Sequence, residues 1–194
     1  MNVAIIKYNA GNIRSVDHAL LRLGVKAEIT DDPDTIRAAD KVIFPGVGEA
    51  KSTMTYLKAR GLDLLLKGLK QPVLGICLGQ QLMCSGSEEG NTTCIGIFNE
   101  VVRLFPAGEM KVPHMGWNSL ERVKGKLFPG QLEGAYVYFV HSYYVPVCED
   151  TAAECDYIVP FSAAMQKDNF YATQFHPEKS GDHGELILTK FLEL

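Results

Sequence analysis

The sequence predicts an α/β fold in a single domain, with a mixed but mostly parallel central sheet flanked by helices. Two observations lead to this prediction. In the first half of the chain, short apolar runs alternate with helical patterns, which is the order of successive βαβ units. From about residue 93 onward, several short β-like runs follow one another and favour antiparallel pairing. A chain of 194 residues suits one domain with a sizeable core.

Each element follows from a local pattern. Apolar runs predict strands, and a turn sequence follows each of the first three. Apolar residues at helical spacing predict the first helix, and proline ends the helical region before residue 72 because it disfavours helix in the residue that precedes it. In chain order we predict a strand at 3–7, a turn at 8–12, a helix over 13–23, a strand at 25–30, a turn at 31–34, a strand at 41–45, a turn at 45–48, one or two helices over 50–70, strands at 72–76, 135–145 and 170–175, and a closing helix over 184–194.

Charge and cysteine usage exclude several classes of function. The net charge is −4 and no block of Lys or Arg could neutralise phosphates, so we expect no nucleic-acid partner. No apolar stretch approaches the length of a membrane span and the N-terminus lacks a secretory pattern, so we expect a cytoplasmic protein without membrane contact. Five cysteines without a C-x-x-C pair predict neither a disulfide framework nor a metal site.

The segment "GICLG" (75–79) has the form of a nucleophile elbow, in which a strand turns sharply into a helix. Side chains larger than hydrogen would clash in such a turn, which explains Gly75 and Gly79. The helix that begins near Leu78 would direct its N–H groups at Cys77 and favour its thiolate form. The turn would place Cys77 at the end of a strand, where we expect it to be exposed. The motif alone is equally typical of a buried, inert core cysteine.

A general base is the second requirement for cysteine chemistry. His176 follows a predicted strand in "QFHPEKS", and Glu178 lies two residues beyond it. Pro177 stiffens the bend, so an extended arrangement would let Glu178 orient the imidazole. The alternative is a surface-loop histidine beside a solvated charge. His114 and His141 are weaker candidates because they lack an acidic neighbour.

The glycine-rich turn "PGVG" (45–48) is a third loop at a strand end. Its backbone N–H groups could stabilise an oxyanion during acyl transfer. It could equally be a plain β–α connection or a phosphate cradle, although it matches neither G-x-G-x-x-G nor the P-loop pattern.

"PGVG", "GICLGQQ" and "QFHPEKS", in this order and spacing, resemble the class I glutamine amidotransferases. Within that superfamily, "YNAGN" (8–12), "PHMGWN" (113–118), "YFVHSYY" (138–144) and "HPEKS" closely resemble the glutaminase subunits of imidazole glycerol phosphate synthase, a histidine biosynthesis enzyme. The resemblance implies a flavodoxin-like fold and one glutamine amidotransferase type 1 domain over residues 1–194.

The resemblance also implies the roles of individual residues. Cys77 would attack the glutamine amide, His176 would carry the proton to the departing ammonia, and Glu178 would orient His176; no cofactor is implied. The oxyanion hole would come from Gly46, Val47, Gly48 and Leu78, after a peptide rotation in the "PGVG" segment, and glutamine would be held by Gln81, Ser142 and Tyr143.

The implied partner is a (β/α)8 cyclase subunit that forms a heterodimer with this chain. It would receive ammonia through a tunnel and make imidazole glycerol phosphate and an aminoimidazole carboxamide ribotide. The residues that match the family's interface and tunnel mouth are Asn12, Met115, Trp117 and Lys179. The sequence departs from the usual family pattern at two places. Glu49-Ala50 follows the oxyanion turn, and Gln80 precedes the substrate-binding residue Gln81.

Three alternatives stay open. The chain could be the amidotransferase subunit of another pathway, such as anthranilate or aminodeoxychorismate synthesis, against which "PHMGWN" and "HPEKS" argue. It could be a cysteine-based sensor or hydrolase on a related elbow fold, against which Gln81 and the complete H-P-E motif argue. A purely structural subunit is disfavoured because all three triad residue types are present.

Overall fold

The fold is organised around a seven-stranded sheet, in a computed structural model that describes residues 1–8, 12–108 and 110–194. The strands are β1 (Val3–Ile6), β2 (Glu28–Thr30), β3 (Lys41–Gly46), β4 (Val73–Cys77), β5 (Gly86–Ser87), β6 (Thr92–Thr93), β7 (Val101–Leu104), β8 (His114–Ser119), β9 (Tyr136–His141), β10 (Tyr143–Tyr144), β11 (Thr151–Asp156), β12 (Pro160–Lys167) and β13 (Phe170–Thr173). The helices are α1 (Ile13–Arg22), α2 (Pro33–Ala38), α3 (Ala50–Ala59), α4 (Leu62–Gly68), α5 (Leu78–Met83) and α6 (Gly181–Glu193), with 3-10 turns at Glu89–Asn91, Gly130–Leu132 and Pro177–Lys179.

The large sheet has the strand order β11-β12-β13-β4-β3-β1-β2. Strands β2, β1, β3, β4 and β13 pair in parallel, whereas β11 and β12 add an antiparallel edge. This confirms the predicted mixed, mostly parallel sheet. Strand β13, which comes from the half of the chain expected to pair antiparallel, lies parallel to β4, so these two strands end side by side.

The remaining strands form two small sheets. Strands β10, β7, β5 and β6 make one of them, and β8 and β9 form a hairpin in which His114 faces His141. Helix α2 was missed, because "DDPD" also reads as a turn. The Asp32 carboxylate accepts from the Thr35 backbone N–H at 2.8 Å, and Pro33 occupies the first helical position, so the same residues start a short helix.

Apolar residues cover both faces of the central sheet. Along β1, Val3 and Ile5 belong to one buried cluster, whereas Ala4 and Ile6 belong to the other. Side chains alternate between the two faces of a strand, so helices must pack on both sides. Within the described residues, no helix combines the length and apolar character needed to cross a bilayer.

Candidate active site

Cys77 occupies the sharp turn between β4 and α5. Its backbone has φ +55° and ψ −108°, a conformation that side-chain-bearing residues rarely adopt. A Cβ on Gly79 would overlap the carbonyl oxygen of Phe44, and one on Gly75 would lie 2.9 Å from the Met83 sulfur. The predicted strained elbow is therefore confirmed, together with the steric reason for its glycines.

The prediction that Cys77 is exposed was wrong, since the residue is only 6% exposed. The thiol is covered by the hairpin end, where Sγ lies 3.9 Å from the carbonyl oxygen of Val140. One side of Cys77 still reaches a cavity of about 320 Å³. The cavity is lined by Val47, Gly48, Cys77, Leu78, Gln81, Glu89, Pro113, Val140, His141, Ser142 and Tyr143.

His176 and Glu178 form a fully buried pair beside the elbow. The His176 Nδ1 and Glu178 Oε1 atoms are 2.8 Å apart, and both side chains have zero exposure. Because β13 runs parallel to β4, the segment after Thr173 meets the end of β4. The other ring nitrogen of His176, Nε2, is buried and has no hydrogen-bond partner among the described residues.

The electrostatics of His176 depend on both neighbours. Burial by itself lowers the pKa of His176, but the negative charges of Cys77 and Glu178, together with the Nδ1 contact to Glu178, outweigh burial and raise that pKa to about 10. The imidazole therefore keeps its proton at neutral pH. A cysteine beside a protonated, carboxylate-bound histidine is the arrangement from which nucleophilic thiolates arise.

Two residues outside the predicted site hold the His176 loop in place. Gly184 in α6 lets that helix approach so closely that a Cβ there would overlap the carbonyl oxygen of Pro177. The Ser180 hydroxyl donates to the carbonyl oxygen of His176 at 2.6 Å and accepts from the Tyr138 N–H at 3.0 Å. Of these contacts, only the one from Tyr138 joins segments that are distant in the sequence, and no local pattern indicates it.

The predicted oxyanion residues do not all reach the cavity. Val47, Gly48 and Leu78 line it, and Gly48 has a φ of +125° that favours glycine. Gly46 instead lies within β3, where it pairs with Cys77, and is not part of the cavity wall. Its contribution to an oxyanion hole stays a prediction, as do those of the other three.

The predicted glutamine-binding residues Gln81, Ser142 and Tyr143 all line the cavity. Gln81 donates from Nε2 to the carbonyl oxygen of Tyr143 at 2.9 Å, which fixes one wall to the hairpin end. Glu89 lines the same cavity, and its Oε2 accepts from the Ala50 N–H at 2.7 Å. Sequence reasoning missed Glu89 because an acidic residue in a loop resembles any solvated charge.

A pair of buried histidines supports this wall, and one of them, His141, also lines the cavity. His141 Nδ1 donates to the Tyr143 carbonyl oxygen at 2.8 Å, so its Nε2 accepts from His114 Nδ1 at 3.2 Å. The His114 ring stacks on Tyr157 with centroids 4.0 Å apart. Burial lowers the pKa of His141 to about 3 and that of His114 to about 4, so both stay neutral at physiological pH.

This pair predicts acid sensitivity. Between pH 6.5 and about 4 the unfolded chain protonates His114, whereas the folded chain does not. The unfolded state then binds more protons, so the free energy of unfolding falls as the pH drops. Between pH 7 and pH 5, the free energy of unfolding of His114→Gln should fall by about 1 to 2 kcal/mol less than that of the parent chain. Urea unfolding at both pH values measures this difference. Equal losses in the two proteins would contradict this.

The four predicted interface residues separate into two groups. Met115 is 62% exposed and Trp117 is 54% exposed, both on β8. The Trp117 ring lies 5.9 Å from the Tyr138 ring, and the exposed Lys179 places Nζ 5.9 Å from the same ring. Asn12 is instead buried, and its Nδ2 donates to Glu178 Oε1 at 3.3 Å. Residues 9–11 of "YNAGN" lie outside the described residues.

No metal site accompanies the buried pair in the parts of the chain that the structure describes, where three or more His, Cys, Asp or Glu side chains nowhere gather around a possible ion. The Cys77 thiol lines the cavity together with the Gln81 amide and the Glu89 carboxylate, and the buried His176–Glu178 pair lies beside Cys77 but outside the cavity lining. This set suits acyl transfer through a covalent intermediate.

Comparison with known proteins decides the family. The family model described as glutamine amidotransferase class-I matches residues 4–194. The chain belongs to this family. It is 66% identical to the imidazole glycerol phosphate synthase subunit HisH of Bacteroides fragilis (strain YCH46) and 47% identical to the HisH subunit of Escherichia coli (strain K12), over the full length of each chain.

Solved structures share the class-I amidotransferase fold at lower identity. A crystal structure of a glutamine amidotransferase superposes with a TM-score of 0.77 at 19% identity, over 98% of this chain and 97% of the other. PurLQS from Thermotoga maritima gives a TM-score of 0.71 at 15% identity, over 99% of this chain and 97% of the other. The central sheet and its helices are thus those of the family.

Proposed function

We propose that this class-I amidotransferase hydrolyses glutamine to glutamate and ammonia through a Cys77 thioester. It passes the ammonia to a (β/α)8 cyclase subunit of imidazole glycerol phosphate synthase, with which it forms a heterodimer in histidine biosynthesis. Residues 1–194 act as one amidotransferase domain. The observation that carries the proposal is the buried His176–Glu178 pair beside a cysteine held in a strained elbow, with a His176 Nε2 that no described residue partners.

The first half of the reaction forms the thioester. The Cys77 thiolate attacks the side-chain carbonyl carbon of glutamine, and the carbonyl oxygen takes the negative charge. N–H groups from the Val47–Gly48 turn and Leu78, which line the cavity, stabilise that oxyanion. His176 then donates its Nε2 proton to the amide nitrogen, the C–N bond breaks, and ammonia leaves.

The second half releases glutamate. The neutral imidazole of His176 takes a proton from a water molecule, whose oxygen attacks the thioester carbon. The C–S bond breaks, the thiolate returns, and the proton on Nε2 restores the starting state. Glu178 stabilises the imidazolium at both stages through its 2.8 Å contact with Nδ1.

Glutamine recognition uses a further residue of the cavity lining, Glu89. The Glu89 carboxylate pairs there with the α-ammonium group of glutamine, since it is the acidic side chain among the lining residues. Glu89→Gln should raise KM at least about tenfold and change kcat less, because it weakens the binding of the substrate and of the transition state by similar amounts. Glu88→Gln is the matched control, since Glu88 binds the Leu104 N–H and does not line the cavity. Equal KM values in the two variants would contradict this role.

The exposed residues Met115, Trp117 and Lys179 form the cyclase-docking surface, in which Trp117 and Lys179 lie near the Tyr138 ring. Aromatic, Met and cationic side chains together are typical of interface cores and their rims. Tyr138 lies on β9, and this strand also contacts the catalytic loop, because the Tyr138 carbonyl oxygen accepts from the His176 N–H at 2.9 Å. Docking at this surface therefore acts directly on the segment that carries the base.

A glutaminase assay with and without the partner tests the proposal. The chain is incubated with glutamine, alone and with the cyclase subunit plus its nucleotide ligand, and glutamate is measured. We expect little turnover by the free chain and strong stimulation by the ligand-loaded cyclase. Cys77→Ala should abolish turnover, whereas Cys148→Ala, at a half-buried cysteine outside the cavity, should not change it. Absence of glutamate under every condition, or equal turnover by Cys77→Ala, would refute the proposal.

A further inference from the structure

We propose that Gln174 is a further catalytic residue, whose side-chain N–H donates to the Cys77 sulfur and stabilises its thiolate form. Gln174 Nε2 lies 3.6 Å from Cys77 Sγ, within hydrogen-bonding distance for sulfur. Gln174 follows β13 directly, and the parallel pairing of β13 with β4 brings it beside the elbow. This role deepens the proposed function, because it concerns the nucleophile of that reaction.

The hydrogen-bond network fixes which end of the Gln174 amide faces the sulfur. The Tyr143 carbonyl oxygen can only accept, so the Gln81 end that lies 2.9 Å away must be its NH₂ group. The same NH₂ group lies 3.0 Å from Gln174, so the Gln174 atom facing it must be the amide oxygen. The other end of Gln174, its NH₂ group, therefore points at Cys77.

Burial makes this single contact effective. Gln174 has zero exposure and Gln81 is 5% exposed, so bulk water does not compete for their amides. A hydrogen bond to a charged acceptor is about twice as strong as one between neutral groups, and a low local dielectric strengthens it further. An N–H donor aimed at sulfur thus favours thiolate over thiol. His176 supplies the charge and Gln174 supplies a second, neutral donor.

The pH dependence of Cys77 alkylation tests this role. Iodoacetamide is added over pH 5 to 10, and the rate is followed by mass spectrometry on the peptide that contains Cys77. Gln174→Met keeps the side-chain volume but removes the donor, and it should raise the pH midpoint of alkylation by about one unit. Gln174→Glu places an acceptor against the sulfur and should raise the midpoint further.

Gln80→Met is the matched control. Gln80 is equally buried, and its Nε2 donates to the Ser162 carbonyl oxygen at 2.9 Å rather than to Cys77. This variant also loses a buried amide, so any general effect of that loss appears in it. Its alkylation midpoint should match the parent chain. A Gln174→Met midpoint equal to that of Gln80→Met would overturn the proposal.

A measurement on the unsubstituted side chain covers variants that fail to fold. In protein labelled with ¹⁵N-glutamine, one side-chain amide resonance should shift across the pH range in which Cys77 is alkylated, and should not shift in Cys77→Ala. No such resonance would equally overturn the proposal. Alkylation and resonance shifts need no glutamine, so a chain that shows both but never hydrolyses glutamine would refute the proposed function and leave the Gln174 role standing.

Discussion

His176→Asn should lower glutamine turnover by about three orders of magnitude, because the reaction then lacks its proton donor and acceptor. The amide nitrogen of glutamine is a poor leaving group until it is protonated, so formation of the thioester should slow first. Asparagine is chosen because its amide can still donate to the buried Glu178 carboxylate. Without a donor at position 176, the buried Glu178 carboxylate would keep only its 3.3 Å contact from Asn12, and the loss of its closer partner would destabilise the fold.

Two measurements separate loss of chemistry from loss of structure. Glutamate release by the cyclase-activated chain gives turnover, and intact-mass spectra during turnover show whether the glutamyl thioester accumulates. His183→Asn is the matched control, since His183 is an exposed α6 residue whose Nδ1 contacts only the Tyr136 carbonyl oxygen among the hydrogen bonds described. Turnover by His176→Asn within tenfold of the parent would show that another group carries the proton.

Gly79→Ala should destabilise the fold by at least about 3 kcal/mol, since overpacking against an immobile neighbour is among the larger mutational effects. The added methyl group would overlap the Phe44 carbonyl oxygen, which is a backbone atom of the central strand β3. Neither β3 nor the elbow can shift without disturbing the pairing of Gly46 with Cys77. Turnover should fall together with stability.

Gly68→Ala makes the same chemical change where space is free. Gly68 is the last residue of α4, and a Cβ there meets no atom within 4 Å. Alanine favours helix over glycine, so this variant should be unchanged or more stable by about 0.5 to 1 kcal/mol. Urea unfolding of the two variants and the parent chain gives the comparison. A loss below about 1 kcal/mol in Gly79→Ala would show that the elbow relaxes without cost.

Features with a local cause were accessible from the sequence. Short apolar runs predicted the strands of the central sheet, since a strand that is buried on both faces is apolar at successive positions. The elbow glycines around Cys77 were predicted because a turn of that sharpness excludes a Cβ wherever it occurs. The pairing of His176 with Glu178 followed from their spacing of two residues, a distance that the backbone alone largely sets.

Features that join distant segments depended on the tertiary structure. Cys77 and Gln174 are 97 positions apart, and their contact exists because β13 inserts parallel to β4. Other contacts between distant segments cover the thiol that the sequence analysis expected to be exposed, bring Glu89 to the cavity, and bury Asn12 against Glu178. The sequence by itself determined which residues could do cysteine chemistry, because residue type and short spacing are local. Sheet order determined which of them meet, because burial and hydrogen bonding are settled only when the strands are side by side.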